Sequence, residues 1–517
     1  MIDRRDTLEY WVTKNNWEEK MNDRKTVRKH LISTIQFIHE LTEEKVSIIG
    51  LPFAEKEGKF VFDGMTLSFL LFPKDKVQIG CHLIPSRYDS LLVITKNGSY
   101  QIPKAHVSSS GEIGNKVDVR CHVRFDELSG LEWNKKKTYY YRFLIPIEKD
   151  DWLPLIKRSL FYRDCPGYDF APNQSLITID FGKKLIHAFT TGIKGYQYLV
   201  IESRFPCTYN EMLNYTYAVS LSLGLVTTIA PFDYAFVVAS EMPEFNDKIM
   251  GGMIKLRPTI RVQYKLQFSA PIEEKDFAKL VLMLHRNKNL ARAAMMLLVA
   301  SDDIEYLGPL YSVALETICL ELFKENKDIF EECLIEKPWG KDFKNNDEKL
   351  TKPFELLKSI KYDLSEVEKL IIKTRNSFLH GDIPKGGGSA DELENTDELD
   401  SVDELLYISS ELRRLCMILL FRYVGIKEPK LAIFYNEKVK QTVDEKLIRK
   451  KQKEEEEEKK KKKRKSKSRQ KQHVKSRQEQ QAKSRQKQHA NQSKNSTRKN
   501  QGKEKSPQPT KEPEASV

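Results

Sequence analysis

The stretch VDVRCHVRF at residues 117–125 decides the fold of the N-terminal half of this chain. Apolar side chains occupy every second position, and polar or charged side chains lie between them. Successive side chains of a β-strand point to opposite faces, so this alternation predicts a strand with one buried and one solvated face. Other short apolar runs bounded by turn residues predict strands at 46–51, 59–62, 65–72, 77–84, 90–95, 137–146, 176–181, 195–202 and 259–268.

Few helical patterns separate these strands, which favours an antiparallel sandwich or an open barrel. One helix is predicted before these strands, because apolar residues recur every three or four positions between Val27 and Ile38. We interpret it as a docking helix. A second helix begins at Thr208, which forms a capping box with Glu211, and we expect it to stop at Gly224.

After Pro271 the patterns become helical. Helices are predicted at 276–285, 289–300, 308–324, 347–360, 365–380 and 402–424. The third of these carries a broad apolar face made of Leu310, Val313, Ala314, Ile318 and Phe323. The fifth begins at a second capping box, Ser365 with Glu368, and its core face holds Leu364, Val367, Leu370, Ile371, Thr374 and Phe378, with Arg375 at the edge. Several helices joined by short loops predict an α-helical bundle.

The net charge of the chain is concentrated at its C-terminus. The whole sequence carries +13, but residues 445–517 hold 26 Lys or Arg and 10 Asp or Glu, so the preceding 444 residues sum to about −3. The tail also contains an eight-residue repeat at 467–474, 475–482 and 483–490. Before the repeat, Glu454 to Glu458 followed by Lys459 to Lys463 could extend a solvated helix by ion pairs four residues apart. The repeat itself has almost no apolar residues to offset the entropy of ordering, so we expect disorder there. Its cations would bind nucleic acid; the alternative is a solubilising tail.

Together these patterns predict a multidomain α+β protein. We expect an N-terminal helical segment at 1–44, a β-rich antiparallel domain at 45–270, an α-helical bundle at 271–435 and a charged low-complexity tail at 436–517. Seven scattered cysteines without a C-x-x-C pair favour free thiols over disulfides or zinc. The N-terminus lacks an apolar signal segment, and no run is long enough to span a bilayer, so the expectation is a soluble cytoplasmic protein without membrane contact.

The segment KLIIKTRNSFLHGD at 369–382 combines the most reactive side chains at fixed spacing. His380 follows Arg375 by five residues, which places the two about 140° apart on a regular helix. They can meet at one ligand only where the helix ends, or by pairing with a second copy. Two interpretations in which these residues have no catalytic role stay open. A His beside a helix-ending Gly is favourable at the helix dipole, and an Arg on an amphipathic helix is often a solvated edge.

An Arg, a polar residue and a His a few positions later, at the end of a bundle helix, resemble the signature of the HEPN superfamily. The local form Arg375-Asn376-x-x-x-His380-Gly381 is similar to that of its ApeA-like branch. The segment Val313-Ala314-Leu315-Glu316 and the β-rich region that precedes it also resemble that branch. The resemblance covers about residues 46–430.

The resemblance implies RNA cleavage without metal or cofactor, by a homodimer formed through the helical bundle, in phage defence or stress response. His380 would act as general base or acid, Arg375 would hold the scissile phosphate, and Asn376 would orient His380 or the phosphate. Glu316 would anchor Arg375 if it reaches the site. The β-rich domain would sense a trigger. The alternative is a catalytically inactive HEPN module that binds RNA or a protein.

The segment Gly381–Ser401 contains three consecutive glycines and many carboxylates, and it predicts a mobile acidic loop beside the motif. Phosphate-binding loops, zinc-protease, serine-hydrolase and dinucleotide signatures are absent from the sequence.

Overall fold

The chain is described from a computed structural model. The described residues are 31–41, 46–51, 57–62, 67–71, 86–95, 98–110, 120–147, 156–157, 176–193, 196–227, 229–245, 248–257, 259–261, 265–267, 272–299, 306–325, 353–354, 356–379, 401–427, 430–432 and 437–497. The strand expected at 77–84 and the acidic loop expected at 381–400 lie outside them.

The described residues form short strands in the first half of the chain and one more near residue 430. In chain order they are β1 Val46–Ile49, β2 Glu57–Phe62, β3 Leu67–Leu71, β4 Ser86–Tyr88, β5 Leu91–Ile94, β6 Ser99–Ile102, β7 Ala105–Ser110, β8 Arg120–Phe125, β9 Glu127–Gly130, β10 Tyr140–Ile147, β11 Ile156–Lys157, β12 Leu176–Asp180, β13 Leu185–Ile193, β14 Tyr196–Ser203, β15 Ile229–Ala230, β16 Tyr234–Ser240, β17 Met250–Lys255, β18 Ile260–Arg261, β19 Lys265–Gln267, β20 Ile272–Glu273 and β21 Lys430–Ala432.

Fifteen of these strands form one antiparallel sheet in the order β12-β13-β14-β10-β16-β17-β9-β6-β5-β1-β2-β3-β8-β7-β4. The sheet folds back on itself. Phe60 of β2 and Tyr234 of β16 have ring centroids 6.4 Å apart, although five strands lie between them in the sheet. A flat sheet would separate those strands by roughly 29 Å, at about 4.8 Å per step. Side chains from the two halves of the curled sheet therefore share one core.

Helices follow the same numbering from the N-terminus. They are α1 Ile32–Leu41, α2 Tyr209–Thr227, α3 Glu274–Arg286, α4 Lys288–Leu298, α5 Leu307–Glu325, α6 Glu366–Leu379, α7 Ser401–Val424 and α8 Glu437–Thr497. Residues 353–354 and 356–359 are also helical. Helix α5 contacts α4, α6 and α7, while α2 packs against α3, α4 and the β10 side of the sheet. The structure thus confirms a mixed α+β chain with a large antiparallel sheet followed by helices.

The N-terminal helix was expected and is present as α1, which contacts β16 and contributes Leu31, Phe37, Ile38 and Leu41 to the sheet core. Residues 1–30 lie outside the described residues.

Most strand and helix predictions match the observed elements. The alternation that predicted a strand at 117–125 is confirmed in β8, where Cys121, Val123 and Phe125 are buried and Arg124 is exposed. The segment expected to be one strand at 259–268 contains two short strands, β18 and β19, which pair with different partners. The strands that were not predicted are β4, β6, β7, β9, β11, β13, β15, β16, β17, β20 and β21.

Gly224 does not stop the second helix, which was a wrong expectation. Helix α2 continues to Thr227, and a Cβ atom at Gly224 would lie 2.6 Å from Cβ of Ala230 and 2.7 Å from a methyl of Leu298. The glycine is therefore needed for close packing against a strand and a neighbouring helix.

The expected disorder of the repeat at 467–490 is replaced by a continuous helix, α8, which ends at Thr497. Residues 437–497 contain neither Gly nor Pro and are rich in Lys, Glu, Gln and Arg, which favour helices. Ion pairs four residues apart, such as Arg449 with Glu445 at 3.1 Å, add support along the helix. By its internal contacts the chain separates into two units, Met1–Gln441 and Thr442–Val517.

Of the seven cysteines, Cys121, Cys207, Cys319 and Cys416 lie in the described part; all four are buried thiols outside any disulfide, as expected. Within the described residues, every helix is too short or too polar to cross a membrane.

Candidate functional site

The helix that carries the motif, α6, begins where the sequence predicted. The backbone N–H of Ser365 donates to Oε2 of Glu368 at 2.7 Å, and the N–H of Glu368 donates to Oγ of Ser365 at 3.2 Å. These reciprocal bonds form a capping box, which satisfies two backbone donors that the first turn leaves free. The start of α6 is thus fixed by its own sequence.

Helix α6 is also tied to α7 through a charge network. Arg414 of α7 forms an ion pair with Glu368 of α6, and its Nε donates to Glu411 at 2.8 Å. Tyr362 joins the two helices, because its hydroxyl accepts from Arg414 Nη1 at 3.0 Å and donates to Glu368 at 2.5 Å. We call Tyr362, Glu368, Glu411 and Arg414 the helix network.

The helix network shifts the proton affinities of its members. Burial acts to raise the pKa of Glu368, but the bonds from Tyr362, the Ser365 N–H and Arg414 outweigh it and hold the pKa below its ordinary value. Burial acts to lower the pKa of Arg414, yet the nearby Glu411 and Tyr362 raise it above its ordinary value. The ion pair therefore stays charged throughout the neutral range.

The buried apolar residues of α6 lie on the same face of the helix as Glu368. Ile371 and Ile372 are fully buried, Lys373 is exposed, and Leu364, Val367, Leu370 and Thr374 are partly buried. The predicted core face is confirmed at Ile371, whereas its other described members are only partly buried, and Glu368 and Ile372, which were not predicted to face the core, are buried. Arg375 follows Ile371 by four residues, so its backbone position continues this face.

The motif residues occupy the C-terminal end of this anchored helix. Arg375 and Asn376 lie within α6, which ends at Leu379, one residue before His380. The side chains of Arg375 and Asn376, and His380 as a whole, lie outside the described part of the structure. Glu316 lies on α5, which contacts α6, and its side chain is exposed. The roles assigned to these four residues remain predictions.

A buried cation lies in the helical region and was not singled out from the sequence. Arg413 of α7 is almost fully buried; its guanidinium carbon lies 5.5 Å from the ring centroid of Tyr311 of α5, and Nη1 lies 3.5 Å from that residue's hydroxyl. Burial lowers the pKa of Arg413 well below its ordinary value. An Arg-Arg pair within an apolar helix was the available signal, because the flanking Leu412 and Leu415 are both buried and leave the two positions between them little solvent.

A second buried charge cluster lies in the sheet. Arg142 of β10 donates from Nε to Glu202 of β14 at 2.6 Å and from Nη1 to Thr34 of α1 at 3.0 Å. The other carboxylate oxygen of Glu202 accepts from Arg204 at 2.9 Å, and the Arg142 guanidinium stacks 3.8 Å from the ring centroid of Phe245. We call Arg142, Glu202 and Arg204, with Thr34 and Phe245, the sheet cluster.

The sequence signal for the sheet cluster was a charge inside an apolar strand. Arg142 interrupts the run Tyr139–Ile147 and Glu202 follows the run Tyr196–Ile201, and opposite charges at facing positions of neighbouring strands predict a pair.

Metal binding has no visible support in this region: among the residues that the structure describes, no group of three or more His, Cys, Asp or Glu side chains is arranged to hold an ion. Comparisons with protein-family models, with curated proteins and with solved structures find no match to this chain.

Proposed function

We propose that this chain is a metal-independent RNA endonuclease of HEPN type, in which Arg375, Asn376 and His380 from two copies form the site. The observation that carries the proposal is the placement of the motif at the end of α6, a helix fixed at its start and along its buried face. A cutting site needs such a support, because catalytic groups must be held within a fraction of an ångström of their working geometry.

The anchoring of α6 supports this reading over a freely solvated helix. The helix network holds its first turn against α7, and Ile371 and Ile372 bury its middle. Both anchors lie on the face that leads to Arg375. Lys373 is exposed and lies between these anchors and the motif. It is a cation to which the proposed reaction gives no role.

In the proposed reaction the ribose 2′-oxygen attacks the adjacent phosphorus atom, and the bond from phosphorus to the 5′-oxygen breaks. His380 accepts the proton of the 2′-hydroxyl or donates a proton to the departing 5′-oxygen, and water carries out the other proton transfer, since an imidazole changes charge near neutral pH. Arg375 offsets the charge that builds on the phosphate with its planar set of donors. Asn376 orients the His or the phosphate. The products are a 2′,3′-cyclic phosphate and a 5′-hydroxyl.

The five-residue spacing supports a second copy over the other route, in which the two residues meet where α6 ends at Leu379. Residues five positions apart on a helix are separated by about 140°, so Arg375 and His380 of one chain face one phosphate poorly. Two copies of the motif, facing each other, supply an Arg and a His from opposite sides.

The test is cleavage of a labelled RNA by the purified full-length chain in the presence of a chelator. His380→Ala and Arg375→Ala should each lower the rate by about 100-fold or more, the usual contribution of general acid–base and charge-stabilising groups. Arg375→Lys should recover little activity, because an ammonium group lacks the bidentate donor geometry. Lys373→Ala, the loss of an exposed cation two residues from Arg375, is the matched control and should cut at the wild-type rate.

Equal cleavage by the wild type and both alanine variants would reject catalysis by this motif. RNA binding without cleavage by any of them would favour the alternative, a catalytically inactive module.

A further inference from the structure

A lysine ammonium lies in a corner formed by two aromatic rings in the sheet region. Nζ of Lys135 is 4.8 Å from the ring centroid of Trp133 and 4.7 Å from that of Tyr209. The two ring centroids are 5.3 Å apart at an interplanar angle of 82°, so the rings form two walls nearly at a right angle. The carboxylate of Glu127 pairs with the same ammonium. We call Trp133, Tyr209 and Glu127 the ammonium cage.

Contact with two rings distinguishes Lys135 from the other cations that contact aromatic rings among the described residues. Each of the others lies over a single ring: Arg142, Lys184, Arg257, Arg413 and Arg422. The face of an aromatic ring attracts a cation, and cages of several rings are the arrangement by which proteins bind quaternary ammonium groups. Two rings and a carboxylate around one ammonium therefore indicate a binding site for an organic cation.

The aromatic walls of the cage are held by buried neighbours. Trp133 is 5% exposed, and its indole N–H donates to the hydroxyl of Tyr141, a fully buried residue of β10, at 3.3 Å. The ring of Tyr209 packs against Phe143 of the same strand, with centroids 6.2 Å apart. Tyr209 is also the first residue of α2, so the start of that helix fixes its backbone. Both rings are therefore positioned by contacts that do not involve Lys135.

The carboxylate of the cage is fixed by the sheet. Glu127 belongs to β9 and lies opposite Ile254 of β17. Its Oε1 accepts a hydrogen bond from Oγ of Ser129 at 2.7 Å. The side chain of Glu127 is 34% exposed and that of Lys135 is 25% exposed, so the cage opens to solvent on one side. A ligand can therefore reach the cage from solution.

Lys135 enters the cage from an exposed turn. The backbone N–H of Lys137 donates to the carbonyl of Asn134 at 3.0 Å, and the backbone N–H of Lys136 donates to Asn134 Oδ1 at 3.0 Å. Lys136 and Lys137 are exposed. These turn bonds do not use the side chain of Lys135. Rotation within its flexible four-carbon stem therefore moves the ammonium into water and leaves the turn intact.

We propose that the ammonium cage binds a small ligand that carries a quaternary ammonium group, and that Lys135 occupies the cage until the ligand displaces it. The ammonium of lysine is compact and strongly hydrated, so it regains water when it leaves. A quaternary ammonium presents methyl groups to both rings and gives up less hydration on binding. The charge of Glu127 favours a cation over a neutral molecule of the same shape.

Calorimetric titration of the full-length chain with choline tests the site. The wild type should bind choline weakly, because only molecules in which Lys135 lies outside the cage are competent to bind. Lys135→Ala should lower the dissociation constant by about tenfold or more, since the cage is then always open. Lys136→Ala is the matched control, because it removes a neighbouring exposed lysine of the same turn, and it should bind like the wild type.

Variants of one wall test whether the ring itself holds the ligand. In the Lys135→Ala background, Tyr209→Leu should raise the dissociation constant for choline at least about tenfold, because one of the two ring faces is lost. Tyr209→Phe keeps the ring and should bind choline as before. Circular dichroism checks the fold of each variant. A loss of affinity in Tyr209→Phe equal to that in Tyr209→Leu would contradict recognition by the ring face.

Two further ligands test the chemical class. The neutral carbon analogue of choline, in which a carbon atom replaces the nitrogen, should bind Lys135→Ala at least about tenfold more weakly than choline does. Equal binding of the two would mean recognition of shape without charge, which overturns the proposal. A trimethyllysine peptide should bind no more tightly than choline. Tighter binding of the peptide would identify a protein side chain as the ligand and overturn the assignment to a small molecule.

The wild type and Lys135→Ala together decide whether the lysine is displaceable. An affinity of Lys135→Ala for choline no higher than that of the wild type overturns the site. Binding by Lys135→Ala with none by the wild type would mean that Lys135 is a permanent part of the fold, and it also overturns the proposal. These measurements involve no RNA, so their outcome is independent of the proposed nuclease.

Discussion

The sheet cluster and the helix network are both built from arginines and carboxylates, yet they differ in how deeply they are buried and in how far apart their members lie in the sequence. In the sheet cluster Arg142 is 1% and Glu202 0% exposed, and the two residues lie 60 positions apart in the sequence. In the helix network Arg414 remains partly open to water and bonds to Glu411, only three residues away, as well as to α6.

The difference assigns the two clusters different tasks. The sheet cluster joins β10 and β14 to α1 through Thr34, so it fixes the N-terminal helix on the sheet core. A deeply buried ion pair gives little net stability over apolar residues, but removal of one partner is costly. The helix network fixes the direction of α6, whose end carries the motif. One cluster is therefore expected to govern folding, and the other the placement of the candidate site.

The largest expected effect is on Glu202. Glu202→Gln leaves the buried Arg142 without its carboxylate and should lower the free energy of unfolding by about 3–5 kcal/mol. Urea unfolding of the full-length chain measures this change. In the double variant Arg142→Met, Glu202→Gln the loss should shrink, since the buried charge is gone. A loss under about 1 kcal/mol in the single variant would contradict the assigned role.

A smaller effect is expected in the helix network. Arg414→Ala leaves Glu368 and Glu411 without their shared cation, and should lower the free energy of unfolding by about 2–3 kcal/mol. The same variant should lower RNA cleavage, because α6 loses its tie to α7. Lys369→Ala is the control, as its pair with Glu366 at 2.8 Å is largely exposed and should contribute under about 0.5 kcal/mol. Equal losses in the two variants would remove the distinction between an anchoring network and a surface pair.

The smallest expected effect concerns the pH dependence of stability, and it arises beside the sheet cluster. His187 of β13 lies opposite Glu202 in the sheet, and burial lowers its pKa to about 4, against the opposing pull of Glu202. Between pH 6.5 and 4 the unfolded chain binds a proton there that the folded chain does not, so stability falls as the pH falls.

From pH 7 to pH 5 this histidine should cost about 2 kcal/mol of unfolding free energy. Between the two pH values the change in unfolding free energy should be smaller by about 2 kcal/mol in His187→Gln than in the wild type, as measured from unfolding curves. Protonation therefore destabilises the fold, and an unchanged pH dependence in the variant would show that His187 has the same pKa in the folded and in the unfolded chain.

Local sequence signals were accurate wherever the deciding interactions are close in the chain. The capping boxes at Thr208 and Ser365 placed the starts of α2 and α6, because their hydrogen bonds join residues three apart. The alternation in β8 predicted the buried face of that strand correctly.

Signals failed where a distant partner changes the meaning of a residue. Gly224 resembled a helix stop, but it is a contact point for Ala230 and Leu298. Val313 fitted an apolar core face, yet the neighbours of α5 cover the other side. The repeat at 467–490 was judged by its lack of apolar residues alone, although its many helix-favouring side chains allow a helix without a core.

The sequence by itself determined the antiparallel sheet, the helical region that follows it, the start of α6 and the five-residue spacing of Arg375 and His380. These properties depend on backbone periodicity and on hydrogen bonds between near neighbours. Only the tertiary structure decided that the sheet curls into one core, that Arg142 and Glu202 are buried together, and that Trp133 and Tyr209 enclose the ammonium of Lys135. Each of these depends on which distant surfaces come into contact, and a linear pattern of residues does not specify that.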